Sequence, residues 1–275
     1  MRVSEPREIA SGVVLLTVGT GPAAVNVYLV RSGSAWMMVD CGWARGAEPL
    51  RVAVEKILGS GTVPAAIFLT HIHPDHSGAA NVLARLWDAH VYVSEAELPM
   101  ASGRYVPSFS MPLDRRLIAP LLWSLPSRAR RRIEAAGDIT DIVQSLPRSG
   151  ELPGLPGWVA IPTPGHTPGH TAYWRASDGL LMTGDAVVTT NLNSLRGLLP
   201  GAPDLSGPPR YTTWNGKLAM DSIAQLAELG PRLVAPGHGQ PLALGVVTRL
   251  RALTSKEHVP RPIRRRRLAG GPKAA

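Results

Sequence analysis

The sequence predicts a mixed α/β protein whose two halves follow one plan. Short apolar runs separated by glycine, proline and serine read as strands, while longer stretches place apolar residues at helical spacing. After an intervening segment rich in proline and arginine the strand texture resumes and again gives way to helices. No sequence repeat at a fixed period accompanies this, so the symmetry is one of structure only.

Residues 12–18, 24–30 and 35–39 read as strands split by Gly21-Pro22 and Ser32-Gly33-Ser34, which suggests an antiparallel meander. A helix follows over residues 49–58, with Pro49 suited to a first helical position. Residues 65–70 form a compact apolar run, a buried strand that ends at His71. Residues 81–87 read as a helix and 90–93 as a strand, so the order turns to strand–helix–strand. Residues 95–150 differ in texture, with six prolines, a helix-like stretch at 117–125 and the cluster Arg128, Arg130, Arg131 and Arg132; they read as an inserted helical cap. Strands return at 158–161, 170–175, 180–183 and 232–235, with helices over 214–229 and 242–253. Trp123, Trp158, Trp174 and Trp214 read as core. Residues 1–255 are thus expected to form one domain carrying the 95–150 cap, followed by a basic tail over 256–275.

A chain of 275 residues with 44% hydrophobic and 18% charged residues can bury a sizeable core, which excludes disorder throughout. No apolar run approaches the roughly 20 residues needed to span a bilayer. The N-terminus lacks a basic region followed by an uninterrupted apolar stretch, so a cytoplasmic location is expected. The single cysteine, Cys41, fits a reducing compartment and removes a cysteine-based zinc cage. Six of the nine net positive charges lie in residues 261–275, which hold no acid. That tail reads as a solvated end, and nucleic acid is not expected as a partner. The segment 111–125 with its following arginines reads as a capping helix pair, with a lid over the pocket or a membrane-surface patch as alternatives.

The strongest chemical signal is His71-Ile-His73-Pro-Asp75-His76, directly after the buried strand. Three imidazoles and a carboxylate in six residues suit a borderline divalent ion such as Zn²⁺. His71 and His73 can point one way while Asp75 and His76 bend another, so two adjacent metal positions are conceivable. Further strand ends deliver His166 and His170 in Thr163-Pro-Gly-His-Thr-Pro-Gly-His, Asp185 in Thr183-Gly-Asp, and His238 in Ala235-Pro-Gly-His. A site assembled from loops at one sheet edge follows.

In this order and context the residues resemble the metallo-β-lactamase superfamily, whose His-x-His-x-Asp-His, His, Asp, His pattern is matched by His71, His73, Asp75, His76, His166, Asp185 and His238. Val39-Asp40-Cys41-Gly42 resembles the family's strand-end Asp-Thr/Ser-Gly turn, with Cys41 in place of the hydroxyl residue. The resemblance spans residues 12–250. It implies a four-layer αβ/βα sandwich, two mixed sheets between helices, with a dinuclear centre at one edge. Carried over position by position, His71, His73 and His166 would hold one metal, Asp75, His76 and His238 the other, and Asp185 would bridge them. Two Zn²⁺ ions are the expected cofactors, with iron or manganese as alternatives. Asp40 would orient a metal-bound imidazole or secure its own turn. His170 reads as a supporting donor, a substrate contact or a strand-initiating residue, and joins Asp75 as a catalytic candidate.

No Gly-x-Ser-x-Gly elbow or paired thiol is present, so water is the expected nucleophile. The reaction expected is cleavage of a small ester, thioester or lactone by metal-bound hydroxide, with Asp75 orienting or receiving the proton. Two alternatives belong to other classes: a one-iron persulfide dioxygenase using His71, His166 and Asp185, and a phosphodiesterase acting on nucleic acid.

Overall fold

The computed structural model describes residues 1–59, 61–193 and 204–256. A seven-stranded sheet follows chain order: β1 (Arg7–Ala10), β2 (Val13–Val18), β3 (Val25–Ser32), β4 (Ala35–Val39), β5 (Ala66–Phe68), β6 (His90–Val93) and β7 (Val143–Ser145). Its first four strands pair antiparallel and the rest parallel, with α1 (Ala47–Leu58), the short α2 (Pro74–Ser77) and α3 (Ala80–Trp87) falling between β4 and β6. After α4 (Ala119–Ser124) and α5 (Ser127–Gly137), a second sheet of β8 (Trp158–Pro162), β9 (Thr171–Arg175), β10 (Leu180–Gly184) and β11 (Leu233–Pro236) forms. Its order is β11-β10-β9-β8, antiparallel except for the β10–β11 pair. Helices α6 (Gly216–Glu228) and α7 (Val246–Lys256) complete the chain.

Alternation along the strands builds four layers. On β2, Val13 and Leu15 face the second sheet while Leu16 and Val18 face helices; on β5, Phe68 faces the sheet and Ile67 the helices. The second sheet alternates the same way: Tyr173 and Met182 meet the first sheet, and Ala172 and Leu181 meet α6 and α7. Leu50 and Val54 of α1 and Leu83 and Trp87 of α3 recur at helical spacing and cover the outer face of the first sheet. Ile223 and Leu226 of α6 and Leu250 of α7 cover the second. Each fully buried side chain such as Leu50, Ile67 or Phe68 contributes about 1.5–3 kcal/mol through burial. The four-layer sandwich with two mixed sheets is therefore present.

The differences from the sequence reading have local causes. The edge strands β1 and β7 are short and partly polar, so neither carries an alternating apolar signature. Because β7 pairs with β6, residues 95–150 are not helical throughout. They also contain a 3₁₀ stretch at Glu95–Met100 and a π-helical turn at Asp114–Ile118 that runs into α4. The last helix begins at Val246, because Leu242 pairs with Val234 and Gly245 takes a φ of 64° that breaks helical entry. Trp158 is core, but Trp123 is 64% exposed and so is not. Residues 257–275, which include most of the basic tail, lie outside the described residues. Among those described, no helix is long and apolar enough to cross a membrane.

Candidate metal centre

The cluster residues lie where strands of both sheets end at one edge. His71, His73, Asp75 and His76 follow β5, His166 lies in the β8–β9 loop, Asp185 follows β10 and His238 follows β11. The strands pin each loop, and glycine allows the loops to close in. A Cβ on Gly237 would lie 2.5 Å from Asp185 Oδ1 and 2.8 Å from His76 Cε1, so only glycine fits there.

Three groups of donor atoms result: His71, His73 and His166; His71, His76 and Asp185; and Asp75, His76 and His238. His73 Nδ1 lies 2.9 Å from His71 Nε2 and 3.0 Å from His166 Nε2. Asp185 stands between the groups, with Oδ2 3.4 Å from His166 Nε2 and Oδ1 3.3 Å from His76 Nε2 and 3.5 Å from His238 Nε2. Asp75 Oδ2 reaches His238 Nε2 at 3.3 Å and His76 Nε2 at 3.8 Å. All seven positions singled out in the sequence are thus brought together.

The donor chemistry fits a cation. Two buried atoms aimed into the cluster, His76 Nε2 and Asp185 Oδ1, have no hydrogen-bond partner. A neutral imidazole offers one donor and one acceptor, so three rings converging on each other leave lone pairs facing lone pairs. Burial pushes the His71, His73 and His166 imidazoles down, which keeps them in the neutral form that binds metal. Burial also opposes charge on His76 and His238, but carboxylates outweigh it. Asp40, Asp185 and Asp75 hold His76 well above its usual range, and Asp185 and Asp75 raise His238 to about 10. Against the same desolvation, the histidines keep Asp75 and Asp185 well below the ordinary carboxylate range.

A surrounding set of oxygens aims the rings. His71 Nδ1 meets Thr70 Oγ1 at 3.0 Å, His76 Nδ1 meets Asp40 Oδ2 at 2.7 Å, and His166 Nδ1 meets Thr213 Oγ1 at 3.4 Å. His238 Nδ1 donates to the carbonyl of Ala24 at 2.7 Å. In each of the four rings Nε2 is the nitrogen left for the centre. Asp40 sits in the left-handed region at φ 56° and also accepts from the Thr70 backbone N–H at 2.8 Å, so it both secures its turn and orients His76. Cys41, buried beside it, donates its thiol to the His76 carbonyl at 3.0 Å.

His170 is buried, and its neighbours account for both ring nitrogens. Nδ1 meets Thr163 Oγ1 at 2.7 Å, and Nε2 accepts from the Asp185 backbone N–H at 3.0 Å. Burial lowers its pKa to about 3. Of the roles open to His170 this geometry supports that of a supporting donor: its bonds hold the Asp185 loop and engage both ring nitrogens.

Two contributors escaped the sequence reading. Glu97, with no exposed surface, accepts from the Ile72 N–H through Oε2 and from the Gly169 N–H through Oε1, both at 2.8 Å. It ties the loop bearing His71 and His73 to the loop bearing His166 and His170. Its position just past β6, beside β5 in the parallel sheet, was the available signal. Thr213, which steadies His166, has no motif around it.

The sequence profile of the metallo-beta-lactamase superfamily matches residues 20–238. The chain is 35% identical over 239 residues to the probable metallo-hydrolase YflN of Bacillus subtilis (strain 168), covering 86% of each. Among solved structures, the metallo-beta-lactamase family protein TTHA1429 from Thermus thermophilus superposes with a TM-score of 0.61 at 25% identity, over 91% of this chain and 80% of that one. TTHA1623, solved in a di-iron-bound form, gives 0.52 at 28% identity, over 85% of this chain and 97% of its own. Profile, relatives and architecture agree, and the chain belongs to the metallo-beta-lactamase superfamily.

Proposed function

We propose that this metallo-hydrolase cleaves a small ester, thioester or lactone at a dinuclear centre. In this reading His71, His73 and His166 hold one divalent ion, Asp75, His76 and His238 the other, and Asp185 is shared. The observation that carries it is the division of the Asp185 carboxylate, with one oxygen toward His166 and the other toward His76 and His238. Bound there, such ions lower the pKa of water toward neutrality and polarise a carbonyl oxygen. The nitrogen and oxygen donors favour zinc and also suit iron and manganese. The lone cysteine keeps the cytoplasm as the proposed location.

The chain's own groups divide the remaining work. Asp75 is the more open of the two clustered carboxylates, its side chain 19% exposed, and the neighbouring histidines keep it ionised. Its oxygens can accept a hydrogen bond from a water and so orient it. Asp40 and Thr70 fix ring directions, while Glu97 and His170 fix the loops. Cys41 cannot serve as a nucleophile, since its thiol is fully buried, donates to His76, and is pushed up by burial and then by Asp40.

Elemental analysis of protein purified without added metal, paired with a hydrolysis screen of thioesters, lactones, aryl esters and phosphodiesters, tests this. About two ions per chain with ester-type turnover supports the reading. About one iron per chain, with oxygen consumed on a persulfide and no hydrolysis, overturns it in favour of the dioxygenase.

A further inference from the structure

The helical pair formed by Asp114–Ser124 and α5 stands out because the fold buries so little of it. The π-helical turn and α5 contain no buried residue, and α4 buries only Ala119. Its large apolar side chains face water instead: Leu117 is 58% exposed, Leu121 57%, Trp123 64% and Ile133 51%. Leu117 and Leu121 are four residues apart and so share a helix face. An enzyme that leaves these groups solvated forgoes burial that its core elsewhere exploits, which marks an interaction surface.

The charge on the same segment is one-sided. Residues 114–137 hold six arginines and two acids. Glu134 pairs with Arg130 at 3.7 Å, whereas Arg128, Arg131 and Arg132 have no ion pair among the described residues. These three arginines are spaced i, i+3 and i+4, so they repel one another along one face of α5 unless an anion faces them.

Together these features select the occupant. A second copy docked about a two-fold axis over the leucines would place the arginines of both copies in or beside one interface without supplying an anion. Nucleic acid would use the arginines and leave the leucines and Trp123 unsatisfied. Exposed leucines followed by an arginine-rich helix match the headgroup boundary of an anionic bilayer, where the aliphatic chains insert, the guanidiniums meet phosphate, and Trp123, on another face and edge-on to Tyr105, can lie at the headgroup level. We propose that the 114–137 segment docks the protein on an anionic lipid surface.

Flotation of the full chain with phosphatidylcholine vesicles, with and without phosphatidylglycerol, tests the proposal. Binding is expected only with phosphatidylglycerol, together with quenching by brominated lipid that Trp123→Phe removes. Arg128→Gln/Arg131→Gln/Arg132→Gln should lower the partition coefficient on the order of a hundredfold, at about fivefold per arginine. Leu117→Ser/Leu121→Ser should also weaken binding while leaving hydrolysis of a soluble substrate unchanged. A variant carrying Arg264→Gln, Arg265→Gln, Arg266→Gln and Arg267→Gln separates the tail from the 114–137 segment. Binding lost in that variant alone would overturn the proposal. So would no binding to either vesicle, a dimer dissolved by the leucine variant, or oligonucleotide binding that depends on the arginines but not the leucines.

Discussion

Asp40 Oδ2 lies 2.7 Å from His76 Nδ1, and both side chains are buried. That contact fixes the ring so that Nε2 faces Asp185 and Asp75. Asp40→Asn keeps an oxygen for the Thr70 N–H and a residue type that tolerates the left-handed backbone, but removes the charge that supports His76. Metal affinity at the His76 side is expected to fall about 10–100-fold, read by chelator competition. Unchanged affinity would separate Asp40 from the centre.

His170 predicts a different phenotype. With both its nitrogens bonded inside the fold, His170→Ala should retain about two ions per chain, since it is not a ligand. Leaving the Asp185 N–H without its acceptor should cost about 1–3 kcal/mol in stability, measured by denaturant unfolding, and turnover should drop as the Asp185 loop loosens. Metal loss equal to that of a ligand variant would contradict the positioning role.

Glu97 bridges two loops through two backbone N–H groups. Glu97→Ala orphans both, at about 1–3 kcal/mol each, and should lower thermal stability and metal retention together. Glu97→Gln keeps one acceptor oxygen and should recover part of both. If the glutamine variant behaves like alanine in stability yet holds metal normally, the bridge does not serve the centre.

Gly237 leaves room for the shared carboxylate. Gly237→Ala would place a methyl group 2.5 Å from Asp185 Oδ1, so the carboxylate or the His238 loop must move. Metal content should fall without unfolding, which elemental analysis and circular dichroism would show. Full occupancy in this variant would mean that Asp185 does not need its observed position.

Much of this was legible because strand ends announce themselves. An apolar run stopping at His71, Asp185 or His238 says where the sheet ends and which polar group emerges, and alternation in β2, β3 and β9 marks the two faces that make the layers. What escaped has no local pattern. β1 and β7 gain their pairing only from neighbours, and Glu97 sits in a short 3₁₀ stretch whose one cue is its place just past β6, beside β5. Hydrophobicity alone cannot tell a core tryptophan from one on an outlying helix such as Trp123, and the sequence cannot choose among the roles open to His170 because its partners, Thr163 and Asp185, are brought together by the fold alone. Helix α6 was found, but its start is set by Asn215, whose side chain accepts from the N–H groups of Lys217 and Leu218.

The measurement that tests the shared centre most directly is metal stoichiometry in the wild-type chain and in Asp185→Ala, purified identically. A carboxylate placed between both donor groups predicts about two ions per chain in the wild type and loss of most of that metal, with activity, in the variant. One ion per chain in both proteins, with hydrolysis preserved, would contradict it.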